Sequence, residues 1–325
     1  MSKLIEMVKY ARIPLQVNAR AGDQVLIITD TNVDPLVWQA LAAAAYELEM
    51  HPTVALSPPP PYHHANPTPP AARAMEDADL TLCVTSRAVI HSPALHAAMK
   101  AGRKCIAMEE VTPDMLREGA CTADILAMMA HGRKYRALWT QGKEVRVTSA
   151  LGTNLRASIQ GRPGYVCAGQ IERQEGIDLY CAAFPDGEVG IAPVEDTVEG
   201  VIVWDTTAHQ VGRLREPIEL EVSGGRAIRF SGGDQAEALQ EYLLQHGDGL
   251  SFNVGEISIG LNPNSPVTGI IRVDKKLAGS CHIALGMNAD VGGKLACKTH
   301  IDGVIRRPTV AIDGQVVVDG GRLVV

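Results

Sequence analysis

The chain has 325 residues, of which 46% are apolar and 4% aromatic, so it is long enough to bury the cores of two ordinary domains. It carries 30 basic residues against 37 acidic ones, which gives a formal net charge of −7. Because a nucleic-acid-binding protein needs a basic face, this mild acidity argues against nucleic acid as the main partner.

The cysteine pattern indicates a reducing compartment. The number of cysteines is odd, none belongs to a C-x-x-C pair, and most lie in or beside apolar runs, where free cysteine behaves as a small buried hydrophobe. The seven are Cys83, Cys105, Cys121, Cys167, Cys181, Cys281 and Cys297. The N-terminal stretch MSKLIEMVKYARIPLQ is typical of an amphipathic helix, not of a signal peptide. No window approaches the roughly 18–20 apolar residues of a membrane span. We therefore predict a cytoplasmic protein without a membrane partner.

The first half of the chain alternates strand-like and helix-like segments. VLIIT, residues 25–29, is a continuously apolar run typical of a strand covered on both faces. A helix follows, with Asp34 as its N-cap and Pro35 at its first position. Further strands are predicted in TVAL, LTLCV and KCIAM, with helices between them. This rhythm predicts an α/β domain with an open, mostly parallel sheet over residues 1–143.

Two further features of this half concern ligands. The proline-rich stretch SPPPPYHHANPTPP, residues 57–70, predicts an extended loop, because proline is disfavoured inside helices and central strands. We interpret His63 and His64 as part of a solvated loop and not as metal ligands, since no carboxylate is near them. The segment DTNVDP after the first strand lacks the glycines that a phosphate-binding loop requires, so nucleotide binding is not predicted.

The rhythm changes in the second half. EVRVTSALGTNLRASIQG alternates apolar and polar residues around a glycine-containing turn and predicts a β-hairpin. Strand-like runs dominate from there to the end, interrupted by one helix in GDQAEALQEYLLQHG. We therefore predict a β-rich α+β domain over residues 144–325.

Polar residues embedded in these strands are the candidates for chemistry. A carboxylate or histidine inside an apolar strand is costly to bury unless it is paired or bound to metal. The candidates are Glu188, Glu256, His282, His300 and Asp302. His300 and Asp302 are separated by one residue, so on a strand their side chains point to the same face. This mixed nitrogen and oxygen set suits zinc, manganese, cobalt or ferrous iron.

Each of these positions also has a purely structural interpretation. Glu188 can cap the Pro-Asp-Gly turn before it, and Glu256 can pair with an arginine. His282 can be a hydrogen-bonded core histidine, and His300 and Asp302 can form a surface pair. Spacing along the chain leaves open whether the five residues converge.

Six segments resemble the metal-dependent aminopeptidases T and S. The C-terminal ones are GEVGIAPVEDTVEGVIV, GEISIGLNPN, HIALGMN and HIDGVIRRP, and the N-terminal ones are PLQVNARAGDQVLII and HSPALHAAMKAG. The resemblance implies a homo-oligomeric hydrolase that cleaves an amide in a small molecule or a short peptide. It also implies one or two ions of zinc, manganese or cobalt that activate a water molecule. The metal ligands that it implies are Glu188, Glu256, His282, His300 and Asp302.

The same resemblance implies further roles and shows two departures. Glu188 or Glu256 would act as the catalytic base. Weaker candidates, for substrate contact, are His91, Asn262 and Asn288. Ala289 stands where the peptidases have a metal-binding tyrosine, and RVDKK, which includes Lys275, stands where they have an acidic run. Both departures concern the occupancy of a second metal site.

The chain also resembles the non-haem iron 2,5-dihydroxypyridine 5,6-dioxygenases. The shared features are the segment HSP that begins at His91, the loop DVGGK and the His-x-Asp pair. This resemblance implies Fe(II) held by two histidines and one carboxylate, which His282, His300 and Asp302 can supply. Those dioxygenases have their other histidine at the position of Glu256, and they lack a carboxylate at the position of Glu188.

The carboxylates therefore decide the main prediction, which is a hydrolase of the aminopeptidase T/S type. The alternative is a ring-cleaving Fe(II) dioxygenase that acts on a hydroxylated pyridine or a related ring. A third possibility is a member of the family that has lost catalysis and serves as a binding protein. Because related folds host different chemistries, the ranking of these three functions rests on the predicted metal ligands and not on the fold.

Overall fold

The computed structural model describes residues 3–62, 65–90, 92–178 and 180–325, which form two compact units. Unit 1 comprises the chain as far as Ala127 together with Cys167–Arg173 and Tyr180–Asp186. Unit 2 comprises Met128–Val166, Gln174–Leu179 and Gly187–Val325. The sequence predicted a single boundary, at residues 143/144, and so assigned Cys167–Arg173 and Tyr180–Asp186 to the second domain. As a statement about separately folding domains, that division stays a prediction.

The helices and strands are numbered here in chain order. The helices are α1 (Lys3–Asn18), α2 (Pro35–Glu47), α3 (Pro69–Asp77), α4 (Pro93–Lys100), α5 (Ile125–Gln141), α6 (Gly233–His246) and α7 (Ile271–Asp274). The strands are β1 (Gln24–Asp30), β2 (His51–Ser57), β3 (Leu80–Val84), β4 (Lys104–Ala107), β5 (Glu144–Ser149), β6 (Asn154–Ser158), β7 (Gly164–Cys167), β8 (Cys181–Ala183), β9 (Glu188–Ile191), β10 (Glu199–Trp204), β11 (Thr207–Ala208), β12 (Gly212–Arg213), β13 (Ile218–Ser223), β14 (Arg226–Ser231), β15 (Val254–Gly260), β16 (Cys281–Gly286), β17 (His300–Ile305), β18 (Pro308–Ile312), β19 (Gln315–Asp319) and β20 (Arg322–Leu323). Short 3-10 turns lie at Gly119–Thr122, Glu195–Thr197, Gly249–Phe252 and Ala289–Val291.

Unit 1 contains a five-stranded parallel sheet in the order β2-β1-β3-β4-β8. Strand β3 is buried along its whole length, as expected for a parallel strand covered on both faces. Helix α2 begins as the sequence predicts, since the Asp34 side chain accepts a hydrogen bond from the Leu36 amide and Pro35 is the first helical residue. The predicted α/β region with a parallel sheet is confirmed.

The fifth strand of that sheet comes from far along the chain. Strand β8 pairs in parallel with β4, with Cys181 opposite Cys105. It has only three residues, too few for a hydrophobic period to be recognised in the sequence.

Unit 2 is built mainly from two antiparallel sheets, which confirms the predicted β-rich second region. One has eight strands in the order β14-β13-β10-β6-β5-β18-β19-β20, and it includes the predicted hairpin as β5 and β6. The other has seven strands in the order β12-β11-β17-β16-β15-β9-β7. Among the described residues, no helix combines the length and the apolar character that a bilayer crossing requires.

Candidate metal centre

Four adjacent strands of the seven-stranded sheet carry the five predicted ligands. Glu188 begins β9, Glu256 lies in β15, His282 lies in β16, and His300 and Asp302 lie in β17. The register places Glu256, Ala284 and Asp302 in one row across three strands. Residues directly opposite each other in a sheet share a face, as do residues two apart on one strand. His282 and His300 are each two residues from a member of this row, so their side chains share its face.

The same rule brings Glu188 to this face, and small neighbours leave room for it. Glu188 pairs with Gly260, which is four residues from Glu256 on β15. A side chain at Gly260 would place a Cβ 2.1 Å from the carbonyl oxygen of Leu277. The convergence that spacing alone left open therefore follows from the strand register.

A β-bulge in β15 sets the direction of Glu256. The register shifts between Val254 and Glu256, so Gly255 is the extra residue. A Cβ at Gly255 would lie 2.4 Å from the carbonyl oxygen of Gly286, so only glycine fits this close approach. Without the extra residue, Glu256 would pair with Ile283 and point to the opposite face.

Glu256, His300 and Asp302 offer one convergent set of donor atoms, called site A below. The Nε2 atom of His300 lies 3.3 Å from Glu256 Oε2 and 3.3 Å from Asp302 Oδ1. On its other side, His300 Nδ1 donates a hydrogen bond to the carbonyl oxygen of Met287 at 2.7 Å. A histidine that donates through one nitrogen to a backbone carbonyl and offers the other is typical of metal ligands. The three residues have ligand atoms within 4.8 Å of one another.

Glu188, Glu256 and His282 form a second convergent set, called site B below. His282 Nε2 lies 2.9 Å from Glu256 Oε1 and 3.5 Å from Glu188 Oε2. Glu256 Oε1 also accepts hydrogen bonds from the Tyr165 hydroxyl at 2.6 Å and from Ser258 Oγ at 2.8 Å. Glu256 therefore links the two sites, with one oxygen in each.

Two lysines bring positive charge into this cluster of carboxylates. Lys275 Nζ lies 2.9 Å from Asp302 Oδ2 and 3.6 Å from Glu188 Oε2. Lys276 Nζ lies 2.5 Å from Glu188 Oε2, and its side chain is only 4% exposed. The sequence indicated the position of Lys275, but nothing in the sequence distinguished Lys276 from a surface lysine.

Asp274 anchors the segment that presents the two lysines. Its carboxylate accepts hydrogen bonds from the hydroxyl of Thr207, from the amide and hydroxyl of Thr268, and from the amide of Gly269. Asp274 is fully buried. Its role is to hold the end of α7 in place, because every contact above is to a hydrogen-bond donor.

The electrostatics of the cluster keep the carboxylates of Glu256 and Asp302 ionised. Burial opposes the charge of Glu256, but hydrogen bonds from His282 and His300 hold the pKa of that carboxyl well below its usual range. Burial likewise opposes the charge of Asp302, but the ammonium of Lys275 keeps its pKa well below the usual range. For His300, burial opposes protonation, yet the charge of Asp302 raises its pKa well above the usual value. A buried group of ionised acceptors is an environment that favours a cation.

One acceptor atom of site A lacks a hydrogen bond. Within the described parts of the chain, Asp302 Oδ1 is buried and has no hydrogen-bond donor, although it faces His300. A buried carboxylate oxygen without a hydrogen bond destabilises the folded protein unless it binds another group, such as a metal ion. Together with the nitrogen and oxygen donor types, this atom shows that site A fits a divalent metal ion.

His209 is a further residue of this region that the sequence did not indicate. Its Nδ1 accepts a hydrogen bond from the Asp302 amide at 2.9 Å, and its own amide donates to the Asp302 carbonyl oxygen at 2.9 Å. It follows the short strand β11, which pairs with β17 at Gly303. His209 and Tyr165 reach the site from distant segments, and a single sequence holds no signal for such contacts.

The residues predicted to contact substrate have different surroundings. Asn262 is buried, and its side chain accepts a hydrogen bond from the Asn264 amide. Asn288 is also buried, and its side chain bonds to the Leu295 amide and the Gly255 carbonyl oxygen. These contacts brace loops, and a role in substrate contact stays a prediction. His91, like His63 and His64, lies outside the described residues.

Two solved structures share this combination of a parallel α/β unit and an antiparallel β-rich unit. One is a 2,5-dihydroxypyridine dioxygenase from Pseudomonas putida KT2440, with a TM-score of 0.79, 22% identity, and coverage of 99% of this chain and 97% of that one. The other is wild-type AmpT from Thermus thermophilus, with a TM-score of 0.72, 19% identity, and 99% coverage of both chains. These similarities define the fold class, which agrees with the α/β region and the β-rich region predicted from the sequence.

The sequence profile then decides between the two families. The profile of the 2,5-dihydroxypyridine 5,6-dioxygenases matches residues 7–325, so the chain belongs to that family. A 2,5-dihydroxypyridine 5,6-dioxygenase of Pseudomonas putida KT2440 is 27% identical over 271 residues, which are 78% of this chain and 73% of the relative.

The main prediction, a zinc, manganese or cobalt hydrolase of the aminopeptidase type, is therefore wrong. The family match and the dioxygenase relative overturn it and favour the predicted alternative. The prediction rested on the carboxylates of Glu188 and Glu256, which were counted as ligands of one or two metal ions. In the structure, Glu188 Oε2 is in contact with the ammonium of Lys276, and Glu256 Oε1 already accepts hydrogen bonds from Tyr165 and Ser258. Counting carboxylates in a sequence does not show which groups neutralise them.

Proposed function

We propose that this protein is a dioxygenase that opens the ring of 2,5-dihydroxypyridine or of a closely similar hydroxylated nitrogen heterocycle. The family profile over residues 7–325 carries the proposal. The buried, convergent donors of site A support it, because an oxygenase of this type needs a metal held by a few protein ligands with positions left open.

The metal that we propose is Fe(II). Site A offers one imidazole nitrogen and two carboxylate oxygens, and such a nitrogen and oxygen set suits ferrous iron. The residues that would hold it are Glu256, His300 and Asp302. The bound ion would supply the redox chemistry that allows dioxygen to react with an aromatic ring.

The reaction balances without an external reductant. One dioxygen molecule adds to the ring bond between the hydroxyl-bearing C5 and C6, and that bond breaks. C5 becomes a carboxyl carbon and C6 becomes a formyl carbon, so both oxygen atoms of dioxygen remain in the product. The two ring carbons are oxidised, and dioxygen is reduced.

The chain's own residues would bind and orient the substrate. A ring hydroxyl that ionises becomes an anion, and Lys275 places a positive charge beside site A, at 2.9 Å from Asp302 Oδ2. A cation beside a developing negative charge stabilises it strongly in a site that excludes water. The imidazole of His209, which is one-third exposed, is a second polar group at the edge of the cluster. Homo-oligomerisation stays a prediction.

Dioxygen uptake tests the proposal. Protein purified without oxygen and loaded with Fe(II) is mixed with 2,5-dihydroxypyridine in an oxygen electrode, and the product formed in labelled dioxygen is analysed by mass spectrometry. We expect equal consumption of dioxygen and substrate and two labelled oxygen atoms per product molecule.

A pair of histidine variants provides the control. His300→Gln removes a ligand of site A and is expected to lower the rate by more than about 100-fold, beyond the range seen for partners outside the ligand shell. His131→Gln alters a half-buried histidine that bonds to the backbone oxygen of Val325 and packs edge-on against Tyr135, away from the residues of site A, and it should keep the wild-type rate. Iron-loaded protein that binds the ring but consumes no dioxygen would instead indicate a binding protein and would refute the proposal.

A further inference from the structure

A cavity in unit 2 lies at the far end of β17 from His300. Its volume is about 480 Å³, within the range of about 300–1,000 Å³ that is usual for small-molecule sites. None of its lining residues is a donor of site A or site B. Asp302 and Arg306 are four residues apart, which is about 13 Å along an extended strand. The cavity, called the arginine pocket below, is bounded by residues 149–151, 205–206, 213–214, 267 and 306–307.

Three exposed arginines line the arginine pocket. Arg213 lies in β12, and Arg306 and Arg307 form the turn between β17 and β18. In the part of the chain that the structure describes, their guanidinium groups have no hydrogen bond and no ion pair with the protein. Surface arginines elsewhere have carboxylate partners, as Arg117 has Glu6 at 2.8 Å. Because neighbouring guanidinium groups repel one another, three of them at one cavity favour the binding of an anion.

Asp205 supplies a carboxylate to the arginine pocket, and other donors already engage it. Its Oδ1 atom accepts hydrogen bonds from the Thr206 hydroxyl at 2.6 Å and from the backbone amide of Arg306 at 3.0 Å. The Asp205 amide donates to the carbonyl oxygen of Val304 at 3.0 Å, and the Leu214 amide donates to that of Thr206 at 2.9 Å. These bonds hold the walls in place before a ligand enters, which lowers the entropic cost of binding.

Apolar side chains form another wall of the arginine pocket. Leu151, in the turn between β5 and β6, is 58% exposed, and Leu214 and Val267 line the same cavity. An apolar side chain in contact with water is stabilised when an apolar group of a ligand covers it. An inorganic anion has no such group, so this wall favours an organic anion.

We propose that the arginine pocket binds a small organic dianion that has an apolar body and either carboxylate groups or a phosphate ester. Three guanidinium groups and one carboxylate leave two excess positive charges, which a dianion neutralises. Guanidinium groups also match the geometry of carboxylates and phosphates with paired N–H donors. The proposal is independent of the proposed function, because it involves neither the metal centre nor the ring that is opened.

Isothermal titration calorimetry of Mn(II)-loaded protein, in low-salt buffer without phosphate, tests the proposal with two probes. Adipate has two carboxylates on an apolar chain, and adipamide has the same chain without charge. Phenyl phosphate has a phosphate on an apolar ring, and inorganic phosphate lacks the ring. We expect adipate or phenyl phosphate to bind, adipamide not to bind, and inorganic phosphate to bind at least about threefold more weakly than phenyl phosphate. The probe that binds more tightly identifies the acidic group as carboxylate or phosphate.

Arginine variants test where the probe binds. Arg213→Gln and Arg306→Gln each remove one guanidinium group and should weaken binding by about three- to tenfold, as expected for a charged contact that is partly open to solvent. Arg215→Gln is the matched control, because Arg215 is exposed, pairs with Asp234 and lies outside the arginine pocket. It should bind the probe as the wild type does.

Leucine variants test the apolar wall. Leu151→Asn should weaken the binding of phenyl phosphate and leave that of inorganic phosphate unchanged. Leu244→Asn alters another exposed leucine, on α6 and outside the arginine pocket, and it should change neither affinity. All four of these leucine and arginine positions are exposed, so their variants should keep the thermal stability of the wild type.

Three results would overturn the proposal. The first is the absence of binding of both probes at about 10 mM, and the second is equal affinity of Arg306→Gln and Arg215→Gln. The third is loss of binding in His300→Gln, which removes a donor of site A and would show that the anion binds the metal ion. Binding that persists in His300→Gln, in a protein that consumes no dioxygen with 2,5-dihydroxypyridine, contradicts the proposed function alone.

Discussion

Tyr165→Phe removes one hydroxyl and tests whether the orientation of Glu256 determines metal affinity. The hydroxyl donates to Glu256 Oε1 at 2.6 Å and also lies 2.7 Å from Ser258 Oγ. A hydrogen bond to a charged group contributes about 1.5–3 kcal/mol. Loss of a partner that orients a metal ligand weakens metal binding by about 10–100-fold, which corresponds to about 1.4–2.8 kcal/mol. The two ranges agree, so we expect a loss of Mn(II) affinity of this size.

Competition with a fluorescent chelator measures the dissociation constant for Mn(II) well below the melting temperature. Tyr135→Phe is the matched control, because the Tyr135 hydroxyl is also buried but donates to the backbone oxygen of Val317. It should lower thermal stability without changing metal affinity. If Tyr165→Phe binds Mn(II) as tightly as Tyr135→Phe does, the hydroxyl does not position Glu256 and the reasoning fails.

Two further substitutions test the frame of the site. Gly303→Ala would place a Cβ 1.8 Å from Trp204 Cδ2, so it should lower the free energy of unfolding by about 1–3 kcal/mol in urea denaturation. Gly249→Ala meets no atom within 4 Å and should change stability little, so equal effects of the two would disprove the packing argument. Asp274→Asn places an amide group against the donors of Thr207, Thr268 and Gly269, and it should cost about 1–3 kcal/mol. Unchanged stability of that variant would show that Asp274 does not anchor the lysine segment.

The local patterns in the sequence predicted the elements of the fold well. Continuous apolar runs such as VLIIT mark strands covered on both faces, and the Asp34–Pro35 pair marks the start of a helix, because both signals depend on a few neighbouring residues. Strand β8 was missed because its place beside β4 is determined by contacts between residues 76 positions apart, Cys105 and Cys181.

The candidate ligands were also found from local patterns, since a charged residue in an apolar strand is conspicuous. Their convergence depends on register across β9, β15, β16 and β17, and a bulge of one residue at Gly255 decides the face of Glu256. The function was predicted wrongly because the prediction counted the carboxylates of the site and left out the lysine ammonium groups that neutralise them. Lys276 is adjacent to Glu188 in space and 88 positions away in sequence, and no periodic pattern in the sequence indicates that contact.

Strand β16 lies between β15 and β17, so the ligand cluster is built on the interior of its sheet and not on a loop. Interior strands separate only at a free energy close to that of global unfolding. We therefore expect a metal ion to enter and leave this cluster while the strands stay paired. Reloading of metal-free protein is then a simple second-order association, with a rate proportional to metal concentration, unlike that of small metal-dependent domains, in which folding and metal binding occur together.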